Sequence, residues 1–269
     1  MDVSLPQNKW YKQLIASSVT PTALVFSSRG ELEAIISGSN KARLACLEST
    51  LNGQSDCSHY LSSTSFSKSV KNENMIKALN LVLKAKIKVE KKEDATSELE
   101  ESLNTLYYPY ALWLQIQNSK NKKEEQEAVF LARQMLTFQD PFYAFLYNDL
   151  YLESRYIINP DFDIKNAPSL EIENDNIDLG NRKTGEKIDI LIKLRNAGKD
   201  TLRIYDVSVS CSCLKLLSKN KDVLEAGGED ILHLEFLADY EGKIKRNVSI
   251  TTNGIESVQS VVIKANVEE

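Results

Sequence analysis

Apolar residues change their spacing along this chain. Up to about Pro168 they recur every three or four positions; beyond it they recur every second position. Met75, Leu79, Val82 or Leu83, Lys86 and Val89 trace one stripe, which predicts a helix over 74–89. A second stripe, Leu99, Leu103, Leu106 and Tyr110, predicts a helix from about Thr96, with Thr96 or Ser97 as its cap and Pro109 kinking it or opening another. Ala128, Leu131, Met135 and Phe138 mark a third over 122–137. Pro141 opens a fourth that carries Phe142, Phe145, Leu146, Leu150 and Tyr151 inward. Short polar turns between such helices predict a small antiparallel bundle. Ahead of them, Thr22–Phe26 reads as a short buried strand and Ser27–Gly30 as a turn. Glu31–Ile36 and Lys41–Leu51 read as helices, and 54–72 as a Ser-rich loop.

From Ser169 onward the alternation is strict. Ile188, Ile190, Ile192 and Leu194 share one face, as do Leu232, Leu234 and Phe236, then Val248, Ile250 and Thr252, then Val261, Ile263, Ala265 and Val267. Period-two runs with one apolar face predict strands buried on one side, and about seven of them predict two sheets packed face to face. Gly180-Asn-Arg-Lys-Thr-Gly185-Glu186 looks like the start of a phosphate loop. However, Glu186 stands where lysine is required, and strands follow, so it reads as a hairpin turn. The expected organisation is α+β and multidomain. A mainly helical domain with a short strand spans 1–160, a Pro- and Asx-rich linker 161–168, and an all-β domain 169–269.

Composition narrows the class without naming a function. At 269 residues the chain suits two domains, and 42% hydrophobic with 26% charged residues is ordinary for a globular protein. The net charge of −5 disfavours nucleic acid as a partner, because phosphate contacts need a basic face. The basic runs at Lys84–Lys92 and Lys120–Lys123 have acids close behind and read as solvated helix faces. The most apolar stretch, Leu14–Phe26, is interrupted by Ser and Thr and suits neither a membrane span nor a signal peptide. Any export signal or lipid anchor is expected upstream.

Four cysteines fall in two local pairs. Cys211-Ser-Cys213 is the main chemical candidate. In an extended strand, residues i and i+2 point to one side, so the pair suits a structural disulfide, a strained and labile redox disulfide, or half of a soft-metal site. Zinc needs about four ligands, and the β region adds only His233. Cys46 and Cys57 bracket a Gly- and Ser-containing turn, which suits a disulfide. The dense aromatics around Tyr143, Tyr147 and Tyr151 are a candidate contact surface for sugars or peptides, or else helix core. No Ser-His-Asp order, His-Glu-x-x-His or glycine-rich nucleotide fingerprint is present. Neither a cofactor nor a metal is expected, and catalysis is not.

The β region carries Leu179-Gly180, Gly185-Glu186, Asn196-Ala-Gly198, Leu202-Arg-Ile204, Cys211-Ser-Cys213, Ala226-Gly227 and Thr252-Asn253 in order. On these residues, 169–267 resembles the bacterial immunoglobulin-like family of domains of unknown function numbered fifteen-seventy-three. Ser212, Leu214 and Ala226 depart from its usual Gly, Thr and Pro. The resemblance implies an immunoglobulin-like sandwich and an extracytoplasmic home, and it supplies no activity. In the N-terminal region, Thr22-Ala-Leu-Val-Phe-Ser-Ser-Arg-Gly30 resembles the strand before a thioredoxin active site, without its cysteines. The expected role is an exported interaction or structural protein that binds a partner protein or a cell-surface component. A thiol–disulfide accessory using Cys211 and Cys213 is the alternative, and a carbohydrate binder a second.

Overall fold

The computed structural model describes residues 9–16, 22–37, 41–53, 72–138 and 140–269. By internal contacts the chain forms two compact units. The first comprises residues up to Phe138 together with Asp149–Ile158; the second comprises Gln139–Asn148 and Asn159–Glu269.

In the first unit, α1 (Lys9–Leu14) precedes a hairpin of β1 (Thr22–Phe26) and β2 (Leu32–Ser37), followed by α2 (Lys41–Leu51). The helix expected over Glu31–Ile36 is therefore a strand. Gly30 adopts a positive φ of 80° and its N–H donates to Ser27 O. That turn folds the chain back so that Ala23 faces Ile36 and Val25 faces Ala34. Pairing with β1 overrides the local helical pattern. Because β1 returns as a hairpin and does not lead into a helix, the thioredoxin-like context is absent as well. Val25, Ala34, Ile36 and Cys46 form a small core between the hairpin and α2. Asn80 of the next helix fixes β2: Leu32 N–H donates to Asn80 Oδ1 at 2.7 Å, and Asn80 Nδ2 donates to Leu32 O at 2.9 Å.

The helices that follow are α3 (Asn72–Glu90), α4 (Thr96–Thr105), α5 (Pro109–Asn121) and α6 (Glu125–Met135). Pro109 opens α5 at a first-turn position, where its missing N–H costs nothing. The N-terminus of α4 differs from expectation. Neither Thr96 nor Ser97 caps it; the Asp94 carboxylate accepts from both Thr96 N–H and Thr96 Oγ1. A buried Ser102 hydroxyl donates to Ala78 O and ties α4 to α3. Met75, Leu79, Val82, Leu99, Tyr110, Leu112 and Leu114 are almost fully buried. Each such large apolar side chain contributes about 1.5–3 kcal/mol on burial.

The helix predicted from Pro141 is two helices, α7 (Pro141–Leu146) and α8 (Asn148–Ile158), with Tyr147 between them at φ −112°. Phe145, expected inward, is exposed. The two helices also belong to different units. α8 joins the first, where Glu153 accepts from Trp113 Nε1 and Gln117 Nε2 of α5. α7 joins the second, where it packs against β10 (Gly242–Thr252) and the adjoining Asn148 Nδ2 donates to Ile255 O.

The second unit continues through β3 (Leu170–Ile172), β4 (Asn176–Lys183), β5 (Lys187–Asn196), β6 (Leu202–Val209), β7 (Leu214–Ser218), β8 (Val223–Leu224), β9 (Glu229–Leu237), the already cited β10, and β11 (Val258–Glu268). One sheet runs β4-β11-β10-β6-β8 and the other β3-β5-β9-β7. Alternate residues from both sheets, among them Ile190, Ile192, Leu232, Leu234, Phe236, Val248, Ile250, Val261 and Ile263, enclose one core. The 180–186 turn is not a hairpin. β4 pairs parallel with β11 whereas β5 pairs antiparallel with β9, so the Thr184-Gly185 turn carries the chain from one sheet to the other. The 161–168 segment is hydrogen-bonded to the loops of the β unit: Asn166 O accepts from Lys199 and Asp200 N–H, and Pro168 O accepts from Ile255 N–H.

Candidate functional site

The segment Ser210–Cys213 is where the chain leaves the five-stranded sheet for the four-stranded one. β6 ends with Val209 opposite Val248 of β10. Ser210 then extends the ladder with mixed chemistry: its N–H donates to Asn247 O at 3.0 Å, and its hydroxyl accepts from Asn247 N–H at 2.9 Å. β7 begins with Leu214 opposite Phe236 of β9, and Cys213 O accepts from Leu237 N–H at 2.8 Å. Between these anchors Leu214 N–H reaches back to Cys211 O.

Cys211 and Cys213 are joined as a disulfide across this crossing, with Cα atoms 5.2 Å apart. A strand would hold residues i and i+2 about 6.6 Å apart. The pair therefore sits in a bend and not in the extended geometry expected for it. Its two halves differ in environment. Cys213 is 4% exposed and forms part of the core, whereas Cys211 is half-buried between the exposed Ser210 and Ser212. Arg246 of β10 donates its Nε–H to Cys213 Sγ at 3.3 Å, and its Nη1 donates to Lys245 O.

Arg246 is the residue that sequence reading missed, although a signal exists. The apolar stripe Val248, Ile250, Thr252 runs backward to Ile244 and passes through position 246. A guanidinium at a core-facing register position is expensive unless something there holds it. Among the described residues no carboxylate pairs with Arg246.

The other candidates are dispersed. Cys46 is buried in the hairpin core and disulfide-bonded, while Cys57 lies outside the described residues. His233 stands on the outward face of β9 and bonds Asp189 at 2.8 Å. Among the described residues no three His, Cys, Asp or Glu side chains are grouped to hold a metal. The aromatic surface does not form as expected. Tyr147 is fully buried, Tyr143 meets it edge-on at 5.4 Å between ring centroids, and Tyr143 and Tyr151 are half-buried. The helix ends at Tyr147, and with that ring fully buried it offers no exposed platform.

The outward face of the four-stranded sheet offers a second feature. Leu191 is 63%, Leu217 43% and Ile231 40% exposed, on the neighbouring strands β5, β7 and β9. Leu191 faces His233 and Ile231 faces Lys193, which places the two apolar side chains diagonally on one surface. Ion pairs Lys187–Glu235, Lys193–Glu173 and Arg195–Glu171 and the His233–Asp189 hydrogen bond flank them.

Residues 170–267 match the family model described as Protein of unknown function (DUF1573), so the C-terminal region carries that family's pattern. No curated protein matches the chain. Among solved structures it is similar to a protein of unknown function from Porphyromonas gingivalis W83, with 21% identity and a TM-score of 0.35 over 40% of this chain and 50% of that one. The chain thus spans about half the length of that protein. It is also similar to the ASH/PapD-like domain of human CEP192, with 13% identity, a TM-score of 0.34, and coverage of 40% and 92%. A third is the CARDB domain of the PF1109 protein from Pyrococcus furiosus, with 16% identity, a TM-score of 0.24, and coverage of 40% and 99%. Among the described residues no helix is long and apolar enough to cross a membrane.

Proposed function

We propose that this protein is an interaction module of the bacterial cell envelope. Its C-terminal unit is an immunoglobulin-like sandwich that binds a partner protein or cell-surface component through the outer face of its four-stranded sheet. The observation that carries this reading is the exposed strip Leu191, Ile231 and Leu217, set within a rim of ion pairs. Apolar centres with polar rims are the usual anatomy of protein contact sites. β7, an edge strand of that sheet, adds unpaired backbone groups that an extended segment of a partner can bond. The disulfide supports an extracytoplasmic home, because disulfides persist in oxidising compartments. The carbohydrate reading is less favoured, because Tyr147, one of its candidate contact residues, is fully buried.

Photo-crosslinking tests the reading. A benzophenone amino acid replaces Leu191 in one variant and Lys245, on the other sheet, in a second; both are irradiated in cells of the source organism. The expected result is a discrete high-mass adduct from position 191 and none from position 245. Adducts of equal yield from both positions, or none from 191, overturn the proposal.

A further inference from the structure

We propose that Cys211–Cys213 is a directional thiol–disulfide exchange site in which Cys211 is the attacked sulfur, Cys213 the leaving sulfur, and Arg246 the catalytic group that receives the leaving thiolate. This goes beyond the binding role and is independent of it.

Two observations fix the direction. Exchange requires the incoming thiolate to reach one sulfur. Of the two residues Cys211 is the more accessible, half-buried at the edge of the core, whereas Cys213 is core. A disulfide also breaks faster when the departing sulfur is stabilised as thiolate. Arg246 Nε–H already points at Cys213 Sγ, 3.3 Å away, from an inward-facing strand position. While the disulfide is intact, the guanidinium meets a neutral sulfur and, among the described residues, no carboxylate. Cleavage creates its missing counter-charge at the atom it already touches, and a charge-assisted hydrogen bond is about twice as strong as a neutral one.

The step balances. An incoming thiolate attacks Cys211 Sγ; its sulfur bonds to Cys211 as the bond between the two cysteines breaks. The electron pair leaves on Cys213 Sγ beside Arg246. A second thiolate then attacks the incoming sulfur of the mixed disulfide and releases Cys211. One protein disulfide is reduced, two substrate thiols become a disulfide, and the protons they lose are taken up by Cys211 and Cys213. The substrate class is a thiol compound, either a small monothiol or an unfolded cysteine-containing chain, whose shared chemistry is the attacking thiolate.

The test uses the full chain with glutathione in one arm and a reduced unfolded protein in another, quenched with iodoacetamide and mapped by mass spectrometry. In at least one arm the adduct is expected on Cys211 with the alkyl label on Cys213. Arg246→Gln is expected to slow adduct formation by about tenfold, and Arg246→Lys to restore part of the rate. A merely structural role for Arg246 would not move the Cys211 preference, so the adduct site is scored in each variant together with circular dichroism. Should Arg246→Gln not fold, the site of attack in the wild type and the rate of Arg246→Lys decide. The proposal falls if the adduct sits on Cys213 or on both cysteines equally. It also falls if neither arm reacts faster than glutathione disulfide does, or if folded Arg246 variants react at the wild-type rate.

Discussion

Asn196 shows how one side chain can organise a loop cluster. It is fully buried, and its amide is used at both ends. Nδ2 donates to Asp200 O at 2.8 Å and Leu224 O at 3.0 Å, while Oδ1 accepts from Gly198 N–H at 3.0 Å and Ser169 N–H at 3.4 Å. Gly198 is required beside it, since a Cβ there would fall 2.0 Å from Ala167 O. The Asn196-Ala-Gly198 motif was legible in the sequence as a turn. Its bonds to Leu224 and Ser169 were not, because those partners come from segments distant in the chain. Truncation leaves several buried carbonyl and N–H groups unpaired, each worth about 1–3 kcal/mol. Asn196→Ala is therefore expected to lower unfolding stability by about 2–4 kcal/mol, read as a reduced urea midpoint with unchanged slope. Arg246 was hidden for a related reason. Its register position is plain in the strand pattern, but the sulfur it meets belongs to the bend between β6 and β7.

At the scale of elements, the helix ends carry the most readable energetics. α3 and α5 both terminate on a lysine in the left-handed region, Lys92 at φ 59° and Lys123 at φ 63°. Glu93 N–H closes back to Lys88 O and Glu124 N–H to Ser119 O, the six-to-one bonds of a Schellman end. Glycine adopts that conformation without the Cβ penalty, so Lys92→Gly and Lys123→Gly are each expected to raise stability by about 0.5–1 kcal/mol in chemical denaturation. At the start of α4, hydrogen bonds from Thr96 and Asn118, with Lys122 nearby, hold the Asp94 carboxyl down at about 2, from an ordinary 3.8. The unfolded chain therefore binds a proton in a range where the folded chain does not. The contribution of Asp94 is complete above about pH 4 and is lost as pH falls toward 2. Asp94→Asn is expected to flatten the acid limb of a thermal-melt series between those values; an unchanged limb would assign acid sensitivity elsewhere. The strand β2 teaches the opposite lesson. Glu31–Ile36 has a helical local pattern, and only the return turn at Gly30 and pairing with β1 make it extended.

For the whole molecule, the sequence by itself determined the division into a helical and a β-rich part, because spacing of three to four and spacing of two each require one buried face. It determined the buried sets of β5, β9 and β11 for the same reason, since a register slip of one residue would expose every apolar side chain in the strand. The position of Pro141 as a helix start was equally local, set by a ring that cannot donate a hydrogen bond, whereas Pro109 was legible only as a kink or a start. Only the tertiary structure decided which strands share a sheet, so that β4 pairs with β11 and the 184–185 turn changes sheets. It alone assigned α7 and α8 to different units and buried Tyr147. It also made the two cysteines unequal, placing Cys213 in the core beside Arg246 and leaving Cys211 half-buried at its edge. Periodicity is a property of neighbouring residues and survives in one dimension. Pairing, burial of a particular ring, and the approach of a guanidinium to a sulfur depend on segments that meet only when the chain has folded.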